Sequence, residues 1–133
     1  MMRFDKAGLL VGGLGFLGFG LLMSVAPQAA MASLGLTVPD GVPTTEIRAF
    51  YGGLELALGG LLLAAMVQPA YRRAGLWLGC ISYGAVAATR ALGMLIDGSG
   101  GGFLLGALAV EAALALWFAL ALRVSARATG NSD

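Results

Sequence analysis

Four runs of mostly apolar residues fill this chain, at about 7–26, 45–67, 74–96 and 103–122. About 20 such residues are what a helix needs to cross roughly 30 Å of hydrocarbon. In lipid every backbone N–H and C=O must be bonded within the protein, so runs of this length are helices rather than open strands. The expected fold class is therefore all-α, a single membrane domain over residues 1–133 built as a four-transmembrane-helix bundle with antiparallel up-down topology. Composition agrees. Charged residues make up 11% of the 133 positions and hydrophobic ones 59%, against a soluble average of about 25% charged. A chain this small has too little interior to hide that much apolar side chain, so the surplus faces lipid.

The connections set orientation. Residues 68–73 form a short link between helices two and three, and the Gly-rich stretch 97–102 is a turn between three and four. The first connection, 27–44, is long, begins at a proline that ends the first helix, and is expected to lie over the outer face. Arg3 and Lys6 precede helix one, Arg72 and Arg73 lie between two and three, and Arg123 and Arg127 follow four, while the first and third connections carry no Lys or Arg. The positive-inside rule then makes both termini cytoplasmic, with 123–133 as a cytoplasmic tail. The expected location is a bacterial inner (cytoplasmic) membrane. A rival reading takes Arg3, Lys6, the first run and Ala30-Met31-Ala32 as a cleavable signal peptide. The run is longer than such peptides use, which favours a retained helix.

Several kinds of chemistry lose their residues. There is no His, the commonest general base and metal ligand. The single Cys80 stands within a hydrophobic run as a core filler, and no disulfide can form within the chain. No metal site, cofactor or catalytic residue is expected. A net charge of +1 gives no reason to expect nucleic acid.

Charged residues inside a bilayer cost about 2.5–3.5 kcal/mol each near its centre and usually face a partner in the bundle. Four occur here: Arg48 and Glu55 on helix two, Arg90 on helix three and Glu111 on helix four. At 1.5 Å per residue, Arg48 lies about 5 Å from the outer end of its helix, Arg90 about 9 Å, Glu111 about 12 Å and Glu55 about 15 Å. On an ideal helix Arg48, Gly52, Glu55 and Gly59 fall within about 60° of one another, with Tyr51 beside them. Tyr83, Ala87, Arg90 and Met94 share a similar strip on helix three. The expectation is one buried network of Arg48, Tyr51, Glu55, Tyr83, Arg90 and Glu111 in the outer half, serving a ligand, a partner or helix register. Glu46, beside Thr44 and Thr45, is read as helix N-terminal charge stabilisation.

Glycine is the second signal. Gly8, Gly12 and Gly15 form a seam on helix one, Gly52 and Gly59 lie on helix two, and Gly75 and Gly79 on helix three, with Gly102 and Gly106 similarly spaced on helix four. Small residues at such spacings let membrane helices pack backbone to backbone. Packing within the chain is the first expectation and homo-oligomerisation the second. Gly8–Gly12 also echoes Gly75–Gly79, and Glu55 and Glu111 fall at similar depths, as two related hairpins would place them. Tyr71, Trp77 and Trp117 lie toward the inner end as interface anchors or packing residues.

The stretch Glu46-x-Arg48-x-x-Tyr51-Gly52-Gly53-Leu54-Glu55 resembles the signature of a family of small bacterial four-helix membrane proteins known only as a domain of unknown function. The resemblance covers nearly the whole chain and includes an Arg near the outer end of helix three, here Arg90. The layout is also distantly similar to DoxX-like membrane proteins, some associated with quinone or thiol redox systems, and to small scaffold proteins of sterol biosynthesis. Fold-level likeness is a weak warrant for function.

Three functions follow as expectations. The first is a non-enzymatic accessory or scaffold subunit, with the lipid bilayer around it and a partner membrane protein or a lipid- or quinone-like ligand bound. The second is a small proton-coupled transporter or channel using Glu55 or Glu111, weakened if Arg48 and Arg90 hold both carboxylates ionised. The third is a quinone- or lipid-linked membrane enzyme subunit in which Tyr51 and Tyr83 orient a head group.

Overall fold

The structure, a computed structural model, describes residues 3–130, with side chains as far as Ser125. It is helical throughout its ordered elements: α1 (Phe4–Val25), α2 (Pro27–Ser33), α3 (Val42–Ile47), α4 (Leu54–Val67), α5 (Arg72–Ile96) and α6 (Gly102–Gly130). A π-helical turn, Arg48–Gly53, joins α3 to α4, and a 3₁₀ turn, Pro69–Tyr71, leads into α5. Four continuous helical stretches are long and apolar enough to cross a membrane: Phe4–Val25, Val42–Val67, Pro69–Ile96 and Gly102–Ser125. The four-helix expectation holds.

Details of the connections differ from the sequence reading. Segment 27–44 is not a plain loop, because Pro27 ends α1 and starts α2, where a missing N–H is harmless. α2 then folds back so that Ala30 and Met31 bury against Met23 of α1. Helix two starts earlier than expected, at Val42, with Gly41 as its N-cap. Thr44 and Thr45 therefore do not cap it; the Thr44 hydroxyl donates to the Pro39 carbonyl at 2.7 Å. α6 continues past 122 to Gly130, so the stretch read as a tail is helical that far. The Arg127 side chain and residues 131–133 lie outside the described part. Gly35 and Gly98, both at positive φ, close α2 and α5: Leu36 N–H donates to Met31 O and Ser99 N–H to Met94 O, the bond that ends a helix over a left-handed residue.

The bundle is two tight pairs, α1 with α4 and α5 with α6, and α1 and α5 each touch all three other spans. The first pair is held by glycines in antiparallel register. A Cβ on Gly13 would meet the Gly59 carbonyl, one on Gly59 the Gly13 carbonyl, and one on Gly20 the Gly52 carbonyl. Backbones this close gain dispersion and Cα–H···O contacts that side chains would prevent. Gly52 and Gly59 thus pack as expected, but their partners on α1 are Gly13 and Gly20. The expected seam on α1 serves the other pair: a Cβ on Gly12 would strike Phe118 and Tyr83, one on Gly15 the Tyr83 hydroxyl, and one on Gly8 Trp117. Gly75 admits Ala65 and Gly79 admits Phe118. Gly106 has nothing within 4 Å of its Cβ position among the described residues.

The core lies toward the end that carries the termini. Leu9, Phe16, Leu62, Ala65, Leu76, Tyr83, Phe118 and Ala121 form it, with Cys80 half-buried at its edge. Toward the loop end, α5 has no buried residue after Ala87 and α6 none before Phe118. The α1–α4 pair stays closed there through Gly20 and Gly52, while the inward face of α6, at Leu104, Ala107, Leu108 and Glu111, is only half-buried. The surface groove between the two pairs is therefore lined by half-buried side chains at this end.

Candidate functional site

Tyr83 is the floor of this groove. Its ring stacks on Phe16 at 4.3 Å between centroids and lies 6.1 Å from Phe118. Its hydroxyl donates to the Gly12 carbonyl at 2.7 Å, which fixes α5 against α1 and leaves the tyrosine a structural element of the floor. Above it, Arg90 of α5 donates from Nε to Glu111 Oε2 at 2.7 Å and from Nη2 to Oε1. This two-pronged ion pair joins the α5–α6 hairpin; planar guanidinium and carboxylate match in this geometry, and each charge answers the other.

Glu55 of α4 completes the group. Its Cβ lies against Gly20 of α1, and its carboxylate is within electrostatic reach of Glu111 and of the Tyr83 hydroxyl. It is half-buried and, among the described residues, makes no hydrogen bond or ion pair. Glu55, Tyr83, Arg90 and Glu111 are therefore brought together as expected, but with one carboxylate unanswered.

Arg48 and Tyr51 do not join them, and the single network expected from the sequence is smaller for a physical reason. Residues 48–53 form a π turn, which adds one residue to the helix and turns everything before it by about 100° relative to an unbroken α-helix. Arg48 is exposed and reaches α1 one turn beyond Glu55, donating from Nε to the Ser24 carbonyl at 3.1 Å. That carbonyl belongs to the last turn of α1, where carbonyls lack helical partners. Tyr51 is 50% exposed. Glu46 is exposed as well.

A second polar cluster was missed by the sequence reading. Asp5, at the start of α1, is 8% exposed and accepts from Arg72 Nη1 at 3.1 Å. The same guanidinium donates from Nε to Ala65 O and from Nη2 to Met66 O. Pro69 has no N–H to offer Ala65, so Arg72 replaces it as the cap of α4. In the sequence Arg72 serves only as a marker of orientation. The signal that could have found the cluster is an acid beside Arg3 and Lys6, at the same end of the bundle as Arg72. A hollow of about 250 Å³ adjoins this clasp, lined by Arg3, Phe4, Asp5, Ala121, Val124 and Ser125. Trp117 donates to the Phe4 carbonyl at 3.2 Å nearby and serves in packing, whereas Tyr71 and Trp77 are exposed.

Among the described residues no group of three or more His, Cys, Asp or Glu could hold a metal ion. What the groove offers is a fixed ion pair, an aromatic floor and one free carboxylate. The fold and the site define a small four-helix membrane bundle with an ionisable cluster between its helix pairs. Residues 4–122 match the family described as a domain of unknown function (DUF4345), and the chain belongs to that family. Comparison with curated proteins and with solved structures gives no match.

Proposed function

We propose that this protein works without catalysis, as a binding protein of the bacterial inner membrane that takes a lipid-like ligand into the groove between its helix pairs. The observation that carries this reading is Glu55, a carboxylate at membrane depth with no partner among the described residues. Intramembrane charges are kept where something answers them, and here the answer has to come from outside the fold. The half-buried face of α6 opposite is the surface along which a chain of apolar atoms would lie above Tyr83. An accessory role follows if the ligand is presented to, or shared with, a partner membrane protein. Arg3, Lys6, Arg72, Arg73 and Arg123 gather at the end carrying the termini, which supports placing that end in the cytoplasm.

Native mass spectrometry of protein extracted in mild detergent tests the reading. A small amphipathic mass should accompany the wild-type chain and be lost from an Ala107→Phe variant, whose ring would fill the groove. A bare chain in every preparation overturns it, and a stable complex with another protein lacking any small molecule moves the function to the partner contact.

One observation favours a second reading, proton-coupled transport. Arg90 holds Glu111 but not Glu55, so the argument that arginines keep both carboxylates ionised applies to only one of them. Loss of substrate efflux in Glu55→Gln vesicles with retention in Arg48→Gln would support it; full efflux in Glu55→Gln would end it. The enzyme-subunit reading has less to stand on, since the Tyr83 hydroxyl is engaged by Gly12 and Tyr51 stands apart.

A further inference from the structure

We infer that the polar group of the groove's ligand is a protonated amine, and that Glu55 is the residue that recognises it. The inference rests on the groove being a ligand site, as proposed above, and adds the chemistry of the head group.

Arg90 directs Nε and Nη2 at both oxygens of Glu111, so these two charges cancel. Arg48 is exposed and engaged at the Ser24 carbonyl. The chain's one lysine, Lys6, lies at the opposite end of the bundle. Three neutral hydroxyls are engaged too: Tyr83 donates to Gly12 O, Ser24 to Gly20 O, and Thr89 to Ala85 O on its own helix. What remains is one carboxyl group with empty hydrogen-bonding positions and, among the described residues, no cation to answer its charge when it ionises.

Each class of head group can be set against that carboxyl group. An anionic head, phosphate or carboxylate, would meet two carboxylates and an arginine already neutralised, and would be repelled. A neutral hydroxyl could donate one hydrogen bond but leaves the charge unanswered. A quaternary ammonium supplies charge and no N–H. A primary ammonium supplies both, with up to three donors, and a charge-assisted N–H···O bond is about twice as strong as a neutral one. The Arg90–Glu111 pair then keeps Glu111 from competing for the amine and excludes anions. The apolar remainder of such a molecule would lie along the half-buried face of α6.

The test uses full-length protein in nanodiscs of neutral lipid and four probes with the same tail: dodecylamine, dodecyltrimethylammonium, 1-dodecanol and dodecanoate. Native mass spectrometry reads the occupancy of each. Wild type should retain dodecylamine at least about tenfold better than 1-dodecanol, as expected for one good charge-assisted contact, and also better than the quaternary probe. Glu55→Gln should abolish the amine preference while binding 1-dodecanol as wild type does. Glu55→Asp, which keeps the carboxylate, should retain a weakened preference. Equal retention of amine and alcohol by wild type overturns the inference and leaves the groove standing as a lipid site. Equal retention of primary and quaternary ammonium overturns the N–H recognition, and an amine preference that survives in Glu55→Gln removes Glu55 from it. Failure of all four probes to bind would overturn both this inference and the groove reading. Should Glu55→Gln fail to fold, the comparison of probes on wild type decides alone.

Discussion

The two halves of this bundle treat charge in opposite ways. At the end carrying the termini, Asp5 and Arg72 are both mostly buried, and each of the three guanidinium nitrogens donates a hydrogen bond, to Asp5 or to carbonyls in the last turn of α4. The core of Leu9, Phe16, Leu62 and Phe118 lies beside them. At the loop end the ion pair Arg90–Glu111 is equally well formed, yet Glu55 beside it has nothing to bind within the described chain. One half is closed by its own residues; the other has a polar group that folding does not satisfy. A buried charge is costly unless something answers it, so the contrast is between polar groups that folding satisfies and one that it leaves without a partner among the described residues.

The largest effect should come from breaking the closed end. In Arg72→Leu the buried Asp5 carboxylate and the Ala65 and Met66 carbonyls lose their donor together, a loss of about 3–5 kcal/mol for a broken buried pair, read by denaturant unfolding in detergent micelles. A loss below about 1 kcal/mol would mean that this end is not pinned by its clasp. Arg90→Leu should cost less, about 2–3 kcal/mol, because the pair is partly accessible and water can reach the stranded Glu111. Much of that should return in the Arg90→Leu/Glu111→Leu double variant, which removes the stranded charge. Failure of the second substitution to restore stability would show that the hairpin depends on Glu111 through contacts other than Arg90.

Glycines sharpen the comparison at a smaller scale. A Cβ on Gly13 would come to 2.8 Å from Leu63 and 3.2 Å from the Gly59 carbonyl, whereas one on Gly18 meets nothing within 4 Å. Gly13→Ala should therefore destabilise by about 1–2 kcal/mol through overpacking, and Gly18→Ala should be neutral or gain up to about 1 kcal/mol from reduced backbone freedom. The same unfolding assay decides. Equal effects at the two positions would show that α1 and α4 do not meet along Gly13, Gly20, Gly52 and Gly59.

Much of this fold is legible in the sequence, because apolar length and helix-breaking residues are local signals: four runs, Pro27, Pro69 and Gly98 fix the helices nearly to their ends. The glycine pattern announces close packing but not which helix each face meets, since a face has direction only once its neighbours are in place. Gly12 and Gly13 are adjacent, yet the first receives Phe118 and Tyr83 and the second Leu63. The candidate site is half legible. Depth along the helices brings Glu55, Arg90 and Glu111 to one level without any knowledge of packing. The position of Arg48 cannot be found this way, because a helical wheel assumes 3.6 residues per turn and the π turn at 48–53 departs from it. Asp5 escapes notice because it precedes the first apolar run and looks like one more charge at a helix start.

The smallest effect on stability is expected from Glu55→Gln, and it bears most directly on the contrast between the halves. A residue that holds the bundle together loses its contacts when neutralised: Glu111→Gln should cost about 2 kcal/mol, since Arg90 is left with a weaker, uncharged acceptor. Glu55 has no such contact to lose. Replacing its carboxylate with an amide of the same shape removes a charge from an apolar setting and its repulsion with Glu111, so stability should be unchanged or rise by up to about 1 kcal/mol. A gain in stability on removing a charged side chain marks a group retained at the expense of the fold, as binding sites often are. If Glu55→Gln instead unfolds as easily as Glu111→Gln, then Glu55 is a staple between the helix pairs, the groove loses the feature that makes it a site, and the two halves differ only in how tightly they are packed.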